Sequence, residues 1–558
     1  MVTLLFLAGS VLLVSNSSSE ASGEKKKRKQ EAVKIEVTQR GPNQADYDRA
    51  KVHVAQHPDV KRLLDGTHNK MLAFHIIDPD NKGARTDVPP SRYRAVFYDY
   101  TNNRQVTAEG NFDLTGSVEV NTEFYQPPVD EEELNAAIEI LKRDAYFGAL
   151  LREGKVMPYP PMPPVLNHKS SERVERVVNV GLEPTKGNES LHEIVGVNMG
   201  RGTIMRFESK APPSARADST DGCGYPSSGG SNGRNLAGSY NLTVSQSGTQ
   251  LWSMTVNRPS SSSGRDGSGI ELSNVMYRGK MVLKRAHIPI LNVQYVSSCG
   301  PFRDWQYSET SFKTDNSPEV APGIKISTTP ALTIVDDFND SGNFRGVAIY
   351  TQGQETVLVT ELSAGWYRYI NEWRFHNDGT IRPRYGFGST ANSCVCIQRN
   401  HHVYWRLDFD LNGTNNSVSR IYYQQHLQKQ FNPIETEVKQ YRNAPQEHWL
   451  ITNPSTGDRW LISPNNKDGT ALNDTYGKGD FWLLRYKTFP TEVDDGAVYT
   501  GSSANLDAFV NSEAVNDQDI VIWYGGHATR SDDTSLVGTN NILSGQFVIG
   551  PDIRPIRW

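Results

Sequence analysis

This 558-residue chain lacks any apolar run long enough to span a membrane as a helix. It also lacks an excess of positive charge: 58 Lys and Arg against 63 Asp and Glu give a net charge of -5, without the basic surplus expected of a nucleic-acid binder. Cysteine is scarce, with only Cys223, Cys299, Cys394 and Cys396. Four cysteines allow three disulfide pairings, and sequence alone does not choose among them. Cys394 and Cys396 are better suited to pair with Cys223 and Cys299 than with each other, because so short a loop strains a disulfide. With no second Cys-x-Cys pair, a thiolate metal site is disfavoured. The two units within residues 31–212 hold no site-like cluster of Cys, His and carboxylates beyond the acidic helix start at Asp130–Glu133, and they read as scaffold or interaction modules. No carboxylate pair recommends a glycosidase or other hydrolytic sandwich, although the aromatics would suit carbohydrate binding.

At this length two or three domains are expected. Residues 1–30 hold a short apolar run, Met1 to Val14, followed by a Ser-rich stretch and the basic cluster Lys25–Lys29. They read as a signal-like leader and a linker, although a basic n-region is missing. Sequons at Asn188, Asn241, Asn339, Asn412, Asn415 and Asn473 are compatible with secretion. Residues 31–127 read as a small α+β domain: helical spacing over Asn43–Asp65 precedes strand-like runs at Met71–Ile77, Tyr93–Tyr100, Val106–Phe112 and Val118–Tyr125. A second such unit, 128–212, opens with a helix over Glu131–Leu151 and continues with strands near Val177–Leu182, Leu191–Val197 and Gly202–Phe207. Residues 213–238 have a linker composition. From 239 to 558, short strands with regular turn signals predict one large all-β antiparallel sandwich.

Chemistry concentrates in that last region. In Arg399-Asn400-His401-His402-Val403-Tyr404, strand alternation puts Arg399 and His401 on one face and His402 on the other. Asp408-Phe409-Asp410, ahead of the turn at Asn412-Gly413, offers two same-face carboxylates and a carbonyl, good ligands for a hard cation such as Ca²⁺. Asp519-Ile520-Val521-Ile522-Trp523-Tyr524-Gly525-Gly526-His527 carries an apolar strand into a histidine, and Gly365-Trp366-Tyr367-Arg368-Tyr369 begins an aromatic hairpin that ends in Asp378-Gly379-Thr380-Ile381.

These segments, with Gly269-Ile270-Glu271-Leu272 and Val293-Gln294-Tyr295, resemble the copper amine oxidases in type and order over residues 240–530. The resemblance implies small α+β domains before the sandwich, a homodimer, and bound copper. It also implies a topaquinone made from Tyr367 and oxidative deamination of a primary amine by O₂ to aldehyde, ammonia and hydrogen peroxide. It aligns His401 and His527 with two copper histidines but puts Arg399 at the first, so His402 would have to turn inward to complete the set. Tyr295 aligns with the tyrosine preceding the active-site base, and the base itself falls on Asp304 or Glu309. The family's peripheral calcium site is matched by Asp408, the Phe409 carbonyl, Asp410, Asp519 and the Ile520 carbonyl. Arg368 follows Tyr367 where an acid is expected. Two cations near the presumed site, Arg399 and Arg368, favour the alternative: a catalytically inactive secreted relative that keeps the fold and its calcium as a binding or structural protein.

Overall fold

The structure, a computed structural model, describes residues 33–77, 91–124, 126–127, 129–161, 165–170, 173–185, 193–207, 224–225, 238–263, 267–295, 302–423, 429–442, 447–471, 474, 476–487, 504–530 and 548–558. The leader-like residues 1–30 and the linker 213–223 and 226–237 lie outside these, as do Cys223 and Cys299 and the sequons Asn188 and Asn473. Cys394 is disulfide-bonded. None of the described helices is long and apolar enough to cross a membrane.

Residues 33–558 form one compact unit containing three sheets. The first helical stretch divides in two, Gln44–Gln56 and Pro58–Leu64, rather than running on to Asp65. Pro58 has no N–H to donate and forces the preceding residue out of helical geometry, so His57 is extended and Pro58 opens a new helix. Asn43 and Asp46 form a capping box at the start of the first. Tyr47, Ala50 and Val54 fall on its buried face and pack with Phe74, Tyr93 and Phe97 of a four-stranded sheet. That sheet comprises Asn69–Ile77, Arg92–Asp99, Arg104–Asn111 and Glu119–Glu123.

The second helix also divides, into Glu131–Lys142 and Phe147–Arg152. Asp130 caps the first piece through the Glu133 N–H, and Ala137 and Leu141 pack on a five-stranded sheet around Arg173–Pro184. A fully buried Arg176–Glu133 ion pair ties helix to sheet.

The third sheet has 21 strands. Two features depart from the sequence-based expectation. Val33–Gln39 is its edge strand, in antiparallel register with Ser239–Gln246, rather than part of the first small domain. The sheet is also mixed rather than wholly antiparallel, since Ile324–Ile326 pairs parallel with Val347–Gln352. Its main core joins residues of Ser239–Tyr295, Arg399–Phe409 and Gln518–Arg530 to those of Val347–Ser389. Trp252 and Trp373 are fully buried there, and each indole N–H finds a carbonyl across the core, His376 at 3.0 Å and Ile270 at 3.2 Å. Burying an aromatic side chain contributes roughly 2–3 kcal/mol, provided its polar atom is satisfied.

Candidate functional site around Tyr367

The strand Arg399–Phe409 lies between Lys280–Tyr295 and Gln518–Arg530, antiparallel to both. Its register fixes the site. Arg399 stands opposite Tyr295 on one side and Arg530 on the other, and His401 stands opposite Val293 and Ala528. His402 stands opposite His527. Side chains alternate along each strand, so Arg399, His401 and Arg530 share one face, while His402 and His527 share the other.

Tyr367 faces the first group. It opens the strand Tyr367–His376 just after Gly365, whose φ of 58° makes the turn easy for glycine. Its ring meets His401 edge-on at 5.0 Å, and the Arg399 guanidinium lies 5.6 Å from the ring centre. The Tyr367 and Tyr295 hydroxyls are 2.7 Å apart, and the Trp366 indole N–H donates to the Tyr295 oxygen at 3.1 Å. Tyr369 stacks on Tyr367 at 5.0 Å and donates its hydroxyl hydrogen to Asp304. Asp304 is fully buried. Burial pushes its carboxyl up to about 8, against the lowering effect of the Tyr369 bond.

His401 is fully buried, and neither ring nitrogen has a hydrogen-bond partner among the described residues. Burial holds it well below the usual imidazole range, and the charges of Arg399 and Arg530 reinforce the shift. It is therefore a neutral imidazole. Arg399 also donates to the Val395 and Ile397 carbonyls, and Arg530 to the Phe387 carbonyl.

Several sequence candidates sit elsewhere. Glu309 is buried in an ion pair with Arg258, whose Nε donates to it at 3.0 Å, and so its carboxylate is engaged away from Tyr367. Arg368 points to the opposite face of its strand, where it makes a two-pronged pair with Asp340 at 2.7 and 2.8 Å. The second cation on the His401 face is Arg530 instead. The sequence reading missed it, although the signal was there: three residues past His527 on one strand is the other face. His527 and His401 do not converge. His527 lies with His402, Nδ1 to Nδ1 at 2.8 Å.

A second cluster lies at the far end of the same strands. Asp408, Asp410 and Asp519 each offer a carboxylate oxygen within 4.8 Å of the others, and two of the three are buried. Phe409 and Ile520 are direct partners in the ladder beside them. Asn412 at φ 50° and Gly413 at φ 145° turn the chain immediately afterwards.

No family model matches the chain. Two Arabidopsis thaliana proteins do: the peroxisomal copper-containing amine oxidase alpha 3, 21% identical over 296 residues, and primary amine oxidase 2, 22% identical over 320. Each match takes in 44% of this chain, and the chain spans 40% and 47% of those proteins' lengths. Among solved structures, the copper-containing benzylamine oxidase of Hansenula polymorpha superposes with a TM-score of 0.59 at 12% identity, covering 91% of this chain and 96% of that one. An Aspergillus nidulans amine oxidase gives a TM-score of 0.57 at 12% identity, covering 93% and 88%. The lysyl oxidase of Pichia pastoris gives 0.54 at 13%, covering 88% and 85%.

The chain has the fold of the copper amine oxidases and a partial likeness to them in sequence.

That family implies copper beside Tyr367, and the residues there do not fit it. Among the described residues the Tyr367 face carries one imidazole, with arginines at Arg399 and Arg530 flanking it. A guanidinium has no lone pair to offer a metal. At ~6 Å and an effective dielectric of ~20, each would also repel a divalent cation by on the order of 5 kcal/mol. The Asp408 cluster is another matter. Three carboxylates converge there at a strand end, with Arg406 also 3.8 Å from Asp408, and oxygen-only donors are the type that suits a hard cation such as Ca²⁺.

Proposed function

We propose that this chain is a non-catalytic amine oxidase relative, a binding or structural protein whose sandwich is clasped by calcium at Asp408, Asp410 and Asp519. One observation carries the reading: Tyr367 faces Arg399 and His401, with Arg530 on the same face, so among the described residues a single imidazole is present where copper would need several. On this reading Tyr367 stays a tyrosine, its hydroxyl tied to that of Tyr295. The carbonyls of Phe409 and Ile520 supplement the three carboxylates around calcium, and the ion's role is to hold two strand ends together. Export through the leader-like first 30 residues and pairing of two copies belong to the same proposal, the first from the sequence and the second from the resemblance.

Oxidative deamination is the second reading, favoured by the grouping of Tyr367, Tyr295 and the buried acid Asp304. The two readings part in one experiment. The full chain is produced with copper and calcium supplied, its bound metals are measured, and peroxide release is followed with benzylamine and with aliphatic monoamines. Calcium without copper, and no amine-dependent peroxide, supports the scaffold reading. Stoichiometric copper with amine-dependent peroxide overturns it.

A further inference from the structure

The face of the strand turned away from Tyr367 carries its own constellation. His402 and His527 are direct partners in the ladder, with their Nδ1 atoms 2.8 Å apart. Their outer nitrogens are each held by groups that accept hydrogen bonds. His402 Nε2 lies 3.0 Å from an Asp474 carboxylate oxygen. His527 Nε2 lies 3.1 Å from the Gly479 carbonyl and 3.1 Å from an Asp480 carboxylate oxygen.

A carbonyl and an ionised carboxylate have no hydrogen to donate, so both Nε2 atoms must carry the proton. Wherever both rings are neutral, each then turns an Nδ1 lone pair inward, towards the other. Two lone pairs at that distance repel unless a proton or a metal ion lies between them. Both imidazoles are buried, His402 fully and His527 at 3% exposure, so no bulk water screens them.

We propose that the Nδ1 atoms of His402 and His527 form a binding site for an imidazole-preferring transition-metal ion of the Zn²⁺ class, separate from both the Tyr367 pocket and the Asp408 cluster. Metal-binding histidines characteristically donate their other N–H to a carboxylate or carbonyl, which fixes the tautomer and sharpens the lone pair. Both rings here have that support. Asp474 and Asp480 are themselves anchored: Asn400 and the Tyr476 and Gly477 N–H groups donate to Asp474, and the Ala471 and Arg442 N–H groups to Asp480.

Two Zn–N bonds of about 2.0–2.1 Å at a tetrahedral angle require Nδ1 atoms about 3.3 Å apart, so the rings separate slightly on binding. Solvent or a small anion fills the remaining positions. Asp474, with 14% of its side chain exposed, marks the side from which an ion enters. The proposal does not depend on whether the chain oxidises amines.

The test is titration of the full chain with ZnCl₂ by calorimetry, with Ca²⁺ saturating so that the Asp408 cluster is occupied, together with zinc K-edge absorption of the bound ion. The expected result is one zinc per chain with imidazole scattering from two histidines, and at least a tenfold loss of affinity in a His527→Asn variant with native circular dichroism. Absence of zinc uptake, zinc bound without histidine scattering, or unchanged affinity in a folded H527N chain overturns the site. If H527N does not fold, the absorption spectrum of the unsubstituted chain decides alone. A proton shared between the two rings, seen as a coupled pair by ¹⁵N NMR and unmoved by zinc, also overturns it.

Discussion

Arg399 and Arg530 stand directly opposite one another on adjacent antiparallel strands, on the face that presents His401 to Tyr367. Charge and donor chemistry at those two positions decide what the pocket accepts. The double variant R399H/R530H should therefore gain affinity for Cu²⁺ that the unsubstituted chain lacks. The gain is read by equilibrium dialysis and by nitrogen hyperfine structure in the EPR spectrum. Equal, negligible copper binding by both folded proteins would show that the arginines are not what excludes the metal.

Calcium at the Asp408 cluster should raise thermal stability. A ligand at about 100 times its Kd stabilises the folded state by about 2.7 kcal/mol. Chelation with EGTA should accordingly lower Tm by several degrees, and added Ca²⁺ should restore it. In Asp410→Asn, which keeps the shape and removes a charge, the calcium response should shrink or vanish. An unchanged Tm with and without chelator would remove the ion from the account.

Asp304 gives stability a pH dependence whose sign is fixed. Its folded-state value is raised by burial from 3.8 to about 8, so the unfolded chain releases this proton first. The contribution is intact below the unfolded value and is lost progressively as pH rises towards 8, at about 1.4 kcal/mol per pH unit. Glu361, buried and also raised to about 8, adds to the same slope. Urea midpoints should fall between pH 5 and 8, and Asp304→Asn should flatten the fall while matching the parent near pH 4. A variant that keeps the full slope would assign it to other groups.

Glu309 should behave differently. Its carboxylate is fully buried against Arg258, and removing one partner of a buried pair leaves an uncompensated charge worth ~3–5 kcal/mol. Glu309→Gln should lower stability at every pH from 5 to 8, as measured by denaturant unfolding. A loss below ~1 kcal/mol would mean the pair is better solvated than its burial implies.

Much of this architecture was legible in the residues. Short strand-like runs with regular turn signals marked the β-rich last region, and helical apolar spacing located the helical stretches. The breaks at His57 and after Lys142 were less visible, because apolar spacing continues through them; Pro58 was the local clue to the first. The parallel pairing of Ile324–Ile326 and the place of Val33–Gln39 depend on contacts far apart in sequence, which local pattern does not carry. In the site, alternation along Arg399–His402 correctly separated His401 from His402. It failed for His527 because its face depends on the register with the neighbouring strand, and two glycines before it hid the parity. The same register turned Arg530 inward, while the pairing of Arg368 with Asp340 removed Arg368 from the pocket.

The central claim is that Tyr367 faces a pocket unable to hold copper and therefore stays unmodified. Its most direct test is the mass of the proteolytic peptide carrying Tyr367, taken from full-length protein produced and incubated with excess Cu²⁺ in air. The account predicts the mass of an unmodified tyrosine, with no quinone absorbance in the parent protein. A peptide heavier by the oxygen that a quinone requires, localised to Tyr367 by fragmentation, would contradict it.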